Sequence, residues 1–493
     1  MKILVASPYA TVAPHFETEL EILQGHLDQG DQVELLACVG GLANCDFNSE
    51  KSKSICNNCV GRRRHGLSLL SRPTKLIALT ASNEARHRDS IQRIANCESI
   101  AQLTGERYEN FDIGYAVLSS LVSLVRDPAP NLSTHRELVI RLATSALETY
   151  TACCNYMAEH KPDRIYLFNG RFAAMRAVLR AAQNANVECL IHERGCDLSH
   201  FELYQNHLPH DIPSIDKAIR SAWSSAIPEC NRIEVASEWF RNRVNRVESN
   251  WHSFVRGQQA GQLPPAWDSA KRNIATFCSS DDEFAAIGDC WKNNRFPNQS
   301  ETIGALCRHF VDRPELHFTL RMHPNLANAR NATKKRMLEM DFPNLTVISP
   351  DDGCDSYALL KAADQVVTFG SSVGIEAVFW RRPSILLGPC FYQELGGTYS
   401  PQTFAELTEL VSSSLGTLDS TGAYMYGFWM QTHGIPFKYF EPDGLFHGRF
   451  KGEVVYDKPP RKTLLTRIGR LLTGTGRVRE KARQLTPQKV RNE

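Results

Sequence analysis

The sequence predicts an α/β protein with two Rossmann-like, doubly wound domains and an interdomain cleft. Three observations carry that expectation. Apolar runs without alternation, such as Lys2–Ser7 (KILVAS) and Arg164–Phe168 (RIYLF), suit strands buried on both faces of a parallel sheet. Segments with helical apolar spacing lie between such runs, as in βα units. A stretch rich in Gly, Gln and Pro at 256–268 (RGQQAGQLPPAWD) divides the series in two. At 493 residues the chain has room for two such domains and an extension.

Taken in order, Lys2–Ser7 opens the first domain and a loop with Pro8 and Pro14 follows. Phe16, Leu20, Leu23 and Leu27 then recur at helical spacing over 15–29, with Gly30 suited to the position past a helix end. Gln32–Cys38 (QVELLAC) is the second strand. This opening lacks the G-x-G-x-x-G fingerprint, so a nicotinamide or flavin cofactor has no support. Residues 80–160 read as mostly helical, broken near 127–130. A strand at Arg164–Phe168, a helix over 171–184 and a strand over 187–192 come next. The second series has strands at 273–278, 316–322, 345–349, 365–369 and 384–387. Its main helices fall at 299–312, 356–363, 373–380 and 403–415. The domain plan is a first domain over 1–255 with a cysteine-rich insertion at 38–59, a linker at 256–272, a second domain over 273–430, and an extension with a basic tail at 431–493.

Composition narrows the class. Hydrophobic residues are 42% and charged residues 22%, which excludes wholesale disorder, collagen and coiled coil. No apolar run is long enough to cross a membrane and none resembles a signal-peptide core, so the expectation is a cytoplasmic protein. The net charge of +2 hides an asymmetry, since 458–493 carries eleven Lys/Arg against two Asp/Glu. Leu464, Leu465, Ile468, Leu471 and Leu472 fit one helix face there. Such a segment either lies on an anionic membrane surface at the inner face of the membrane or is a solvated tail. It has no aromatic residues for base stacking, so nucleic acid is not an expected partner. Fifteen cysteines without a secretion signal point to reduced thiols. Cys38, Cys45, Cys56 and Cys59 have one C-x-x-C pair; a structural zinc and plain thiols are the two main readings, with redox chemistry a minor third.

Three strand-end segments could carry chemistry. In Gly370-Ser371-Ser372 a small-residue turn precedes a helix, where N–H groups and hydroxyls suit a phosphate; capping is the plainer alternative. Glu376, one turn in, could accept from ribose hydroxyls. In Arg321-Met322-His323-Pro324-Asn325, Arg321 could clamp phosphate oxygens. His323 could donate to a phosphate or leaving-group oxygen, or act as general acid; a capped strand end is the alternative. Ser279 and Ser280, within Ser279-Ser280-Asp281-Asp282-Glu283, could reach a phosphate at the same edge or cap a helix.

The order S-S-x-D-E, R-x-H-P-N, D-S-Y-x-L-L-x-x-A-D and G-S-S-x-G-x-E-A resembles the bacterial capsule polysaccharide biosynthesis proteins over about 273–389. These are similar to GT-B glycosyltransferases, Kdo-type transferases included. The resemblance implies a nucleotide-sugar donor in the second domain, with no cofactor required at the donor site. The His-Pro and Ser-Ser pairs also resemble those of bacterial sialyltransferases. There an acidic motif precedes His-Pro, whereas Asp351-Asp352-Gly353 follows it here, so Asp351 and Asp352 read as a loop. The acceptor, a polysaccharide or lipid-linked glycan, then belongs to the first domain. A base for its hydroxyl is expected at a strand end, with Glu193 first and His15 second; an ion pair and a helix start are their structural alternatives. The expected function is transfer of a sugar to a growing surface polysaccharide of capsule or lipopolysaccharide type. The alternatives are a GT-B-like nucleotide-sugar epimerase and a non-catalytic polysaccharide-assembly protein.

Overall fold

Seven strands in one sheet and five in another account for the two-part architecture. The computed structural model describes residues 1–79, 85–227 and 231–455; the basic tail and its proposed membrane contact lie outside them. The first part of the chain runs β1 (Lys2–Ser7), α1 (His15–Asp28), β2 (Gln32–Cys38), α2 (Lys53–Ser68), β3 (Lys75–Leu79), α3 (Ala85–Ala95), α4 (Ile100–Gly105), α5 (Ile113–Val125), α6 (Arg136–His160), β4 (Arg164–Phe168), α7 (Ala173–Asn184), β5 (Glu188–Arg194), β6 (His200–Gln205), α8 (Ile212–Ser225) and α9 (Arg232–Val244). After a long irregular stretch come β7 (Arg272–Phe277), α10 (Gln299–His309), β8 (Leu316–Arg321), α11 (Ala332–Leu338), β9 (Leu345–Ile348), α12 (Ser356–Ala362), β10 (Gln365–Thr368), α13 (Val373–Phe379), β11 (Ser384–Leu386), α14 (Phe404–Ser412) and α15 (Thr421–Thr432). Three short strands, β12 (Ile435–Pro436), β13 (Phe440–Gly444) and β14 (His447–Phe450), end the described chain.

The second sheet is wholly parallel in the order β11-β10-β7-β8-β9. The first has the order β12-β6-β5-β4-β1-β2-β3, parallel from β5 to β3 and antiparallel at β6 and β12. The unalternating apolar strands explain the burial. Ile3 to Ser7 of β1, and all of β8 and β10, are buried. In each sheet the strand order reverses once between parallel neighbours, at β1/β4 and at β7/β10. A crevice forms at the carboxyl ends of such a pair because the connecting chains leave in opposite directions.

Two departures from the expected plan matter for the site. Residues 212–244 precede the expected linker, yet α8 and α9 share an apolar core with α13 and α15 through Ile215, Ile219, Trp239, Phe240, Ile375 and Trp429. Past α15 the chain returns to the first sheet. Ile435–Pro436 pairs with β6, and Phe440 and Phe450 pack with Phe16 and Leu20 of α1. Apolar area buried against a distant element outweighs sequence proximity in deciding where a helix sits. Among the described residues, no helix is long and apolar enough to cross a membrane.

Candidate functional site

The β7/β10 switch point of the second sheet opens into a cavity of about 310 Å³. Ser279 and Ser280 line it from the loop after β7, His323 from the loop after β8, and Gly370, Ser371 and Ser372 from the turn after β10. The sequence thus locates five candidate donor-site residues around one space. Gly370 is required at that turn: its φ is +101°, and a Cβ there would lie 2.5 Å from the Pro389 carbonyl oxygen.

His323 is the best-defined hydrogen-bond donor among them. The Asn325 N–H donates to its Nδ1 at 3.1 Å, which places the ring proton on Nε2. Burial lowers its pKa to about 4. Asp282 opposes that shift, while Arg321, Arg243 and Arg126 reinforce it. At neutral pH the ring is therefore a neutral donor rather than a charged acid. Ser371 accepts weakly from the Val373 N–H at 3.4 Å and leaves its own hydroxyl proton for the cavity.

Other candidates line the cavity with their hydroxyl protons directed into the protein. Ser279 donates to the Phe369 carbonyl at 3.1 Å and ties the two switch-point loops together. Ser280 donates to Asp282 at 2.6 Å. Ser372 donates to Glu376 at 2.9 Å and does not cap α13. Two expectations need correction. Arg321 does not line the cavity. It is buried at the end of β8 and donates to the carbonyls of Ser349, at 2.7 Å, and Asp352, at 3.3 Å, so it organises the Asp351–Gly353 loop. Glu376 is fully buried rather than offered to a ribose. Its Oε2 accepts from Tyr357 at 2.6 Å, and its Oε1 accepts from Ser372 and faces Arg243 Nε at 3.0 Å.

Arg243 is the main residue that the sequence reading missed. It comes from α9, ahead of the expected linker, and lines the cavity with its side chain 38% exposed. Its Nη2 donates to Ser372 at 3.1 Å, and its guanidinium lies 4.9 Å from the Trp239 ring centre. Burial opposes its charge, but Glu376 and Tyr357 outweigh that and raise its pKa. The only available signal was the run of arginines at 241, 243 and 246, which an amphipathic helix explains equally well. Trp251 and Phe254, 45% and 39% exposed, add an aromatic wall from the irregular stretch after α9.

The acceptor-side candidates lie at the β1/β4 switch point and at the end of β5. Glu193 is half-buried on β5 and accepts from Asn169 Nδ2 at 2.5 Å. Burial raises its pKa, and the Asn169 hydrogen bond and the charges of His192, Arg171 and Arg194 hold back part of the rise. Arg171 connects this edge to the cavity. It is electrostatically coupled to Glu193 and donates to the backbone carbonyl of cavity-lining Glu283 at 2.6 Å. His15 starts α1 with its ring 3.8 Å, centre to centre, from Phe168. Burial, then Arg194, His192 and Arg62, lower its pKa well below the ordinary value, which makes it a poor base near neutral pH.

The cysteine expectation is also corrected. Cys38, Cys45, Cys56 and Cys59 line one small cavity with Leu42 and Ile55. Four thiolates around one zinc need sulfur separations of about 3.5–4 Å. Among the described residues, the one group of three or more ligand-type side chains with ligand atoms within 4.8 Å of one another is Cys196, Asp197 and His200. The structural zinc is therefore not supported. Local hydrogen bonds set the sulfurs instead: Cys59 accepts from the Ala10 N–H at 3.3 Å, Cys38 from the Gly40 N–H at 3.3 Å, and Cys56 from Asn48 Nδ2 at 3.2 Å. Burial, with Asp46 beside it, raises the Cys45 pKa and keeps it a thiol.

Residues 292–410 match the family model for the capsule polysaccharide biosynthesis protein family. That stretch contains the R-x-H-P-N, D-S-Y and G-S-S motifs, so the resemblance read from them holds there. Solved structures similar to this chain include two described as KpsC from Thermosulfurimonas dismutans. Its beta Kdo 2,4 transferase is 14% identical with a TM-score of 0.36, covering 64% of this chain and 88% of that chain. Its beta Kdo 2,7 transferase is 15% identical with a TM-score of 0.31, covering 55% and 78%. A UDP-GlcNAc 2-epimerase from Methanocaldococcus jannaschii, in complex with UDP-GlcNAc and UDP, is 11% identical with a TM-score of 0.29, covering 86% and 98%. No curated protein matches the chain in sequence.

Proposed function

We propose that the protein is a glycosyltransferase of surface-polysaccharide assembly, taking a sugar from a nucleotide-sugar donor to a glycan acceptor. The observation that carries this reading is the convergence of the family-matched motifs on one cavity at a sheet switch point. His323 Nε2–H and the Ser371 hydroxyl are suited to the phosphate oxygens of a donor. Donation there stabilises the negative charge that gathers on the phosphate as the glycosidic bond breaks. Glu193 is the candidate base on the acceptor side. Its raised pKa makes it a stronger proton acceptor than an ordinary carboxylate. Attack by the acceptor oxygen on the anomeric carbon forms the new glycosidic bond. The bond to the phosphate oxygen breaks, and the hydroxyl proton passes to Glu193.

The test is incubation with a panel of nucleotide sugars and a surface-glycan acceptor, read by mass spectrometry. An acceptor heavier by one sugar residue, formed together with free nucleotide, supports the proposal. Conversion of the donor to an isomer without acceptor means epimerisation. No donor turnover across the panel, with no nucleotide binding by thermal shift, leaves the assembly-protein reading.

A further inference from the structure

Arg243 brings a cation to the cavity from outside the matched stretch, and its surroundings are built to aim it. A guanidinium has five N–H donors in a fixed plane. Glu376 faces Nε at 3.0 Å and Ser372 accepts from Nη2 at 3.1 Å. Those two contacts hold one side of the plane, while the side chain stays 38% exposed in a cavity it lines with His323 and Ser371. The carboxylate behind it is fully buried and itself held by Tyr357 at 2.6 Å. The Trp239 ring lies 4.9 Å from the guanidinium carbon and limits its swing. A charged side chain fixed in this way loses little freedom on binding, so its contacts contribute more to affinity. α13 has only seven residues, and Ser372 turns away from capping it.

We infer that Arg243 is the anion-binding residue of this cavity, taking the phosphate group of a nucleotide, and that Glu376 is the positioning residue that aims it. This rests on the donor-pocket reading above and adds a charged residue of α9 to the phosphate contacts of His323 and Ser371. α9 precedes the irregular stretch and packs against α13 and α15. Donor binding therefore depends on α9 being docked on the second sheet's helices.

The test is titration calorimetry of the full chain with CMP, CDP, UDP, GDP and inorganic phosphate. Arg243→Met is expected to weaken the best-binding nucleotide by about 10–100-fold, the loss typical of a charge-assisted hydrogen bond. Arg243→Lys keeps the charge but cannot hold Glu376 and a phosphate with one planar fork, so an intermediate loss is expected. Glu376→Gln should weaken binding in the wild-type background and have no further effect beside Arg243→Met, which a purely structural role would not produce. Thermal melts identify the folded variants, and Arg243→Lys carries the test if Arg243→Met does not fold. Nucleotide binding within threefold of wild type in a folded Arg243 variant overturns the assignment but leaves the donor pocket standing. An equal effect of Glu376→Gln in both backgrounds overturns its positioning role. A wild-type protein that binds none of the five probes overturns the donor-pocket reading itself, and this assignment with it.

Discussion

The carboxyl-end regions of the two sheets differ in which polar groups they present. In the first sheet a carboxylate, Glu193, stands among buried or internally bonded neighbours, and several buried atoms there, both ring nitrogens of His192 included, have no hydrogen-bond partner among the described residues. The His15 ring lies tilted against Phe168, and buried His192 sits 3.7 Å from buried Glu19. Arg194 donates to the carbonyls of Ala13, Asn250 and Leu445. In the second sheet the cavity keeps donors in hand: His323 Nε2–H, the Ser371 hydroxyl and the exposed side of Arg243. Burial on the first side produces a carboxylate that holds a proton more readily; partial exposure on the second leaves N–H and O–H groups for an anion. The lesson is that one topology supplies two chemistries. What distinguishes them is whether a carboxylate or a set of N–H and O–H donors stands at the strand ends.

The largest expected effect lies on the first edge. Glu193→Gln keeps the shape and removes the charge, and should lower turnover by about 10²–10⁴-fold with donor affinity nearly unchanged. The wild-type rate should also fall on acidification, because a carboxylate with a raised pKa protonates at higher pH than an ordinary one. Steady-state kinetics against pH check both; retention of turnover within about threefold moves the base elsewhere.

On the second edge, Arg321→Met should be felt as stability. It removes two hydrogen bonds to partly buried loop carbonyls and should cost about 1–3 kcal/mol in denaturant melts, with nucleotide affinity of the folded protein little changed. A loss of affinity without a loss of stability would return Arg321 to the donor site. His323→Ala removes a neutral donor, and about a tenfold loss of nucleotide affinity by calorimetry is expected.

The smallest effect concerns His433, which stacks on Trp429 near the first edge. Burial lowers its pKa to about 4, so the unfolded chain binds a proton first as pH falls below about 6.5. Stability is lost between about pH 6.5 and 4 through this group. His433→Asn should therefore lose a few degrees less of melting temperature over that interval than wild type; equal losses would mean the ring is not held neutral.

The unalternating strands and the helices between them were legible because a parallel sheet covered on both faces writes its burial directly into local sequence. Lys2–Ser7, Gln32–Cys38 and Arg164–Phe168 are legible to the residue, and most other strands within one or two positions. The antiparallel β6, the helix across the cysteine segment and the strand at Lys75–Leu79 were not read. Their patterns are half-polar, and partners elsewhere in the chain hold them in place. The strand-end motifs located the cavity, because switch-point loops gather wherever the strand order reverses. Which of their side chains would face it was beyond the sequence. R-x-H-P-N reads the same whether its arginine clamps a ligand or two backbone carbonyls, and burial at the end of β8 decided for the carbonyls. Glu376 looked like a ribose acceptor until Arg243, 133 positions earlier, was seen to lie against it. Local sequence fixes periodicity and turns. The partner of a buried charge is fixed by whichever distant helix completes the apolar core, and here that helix is α9.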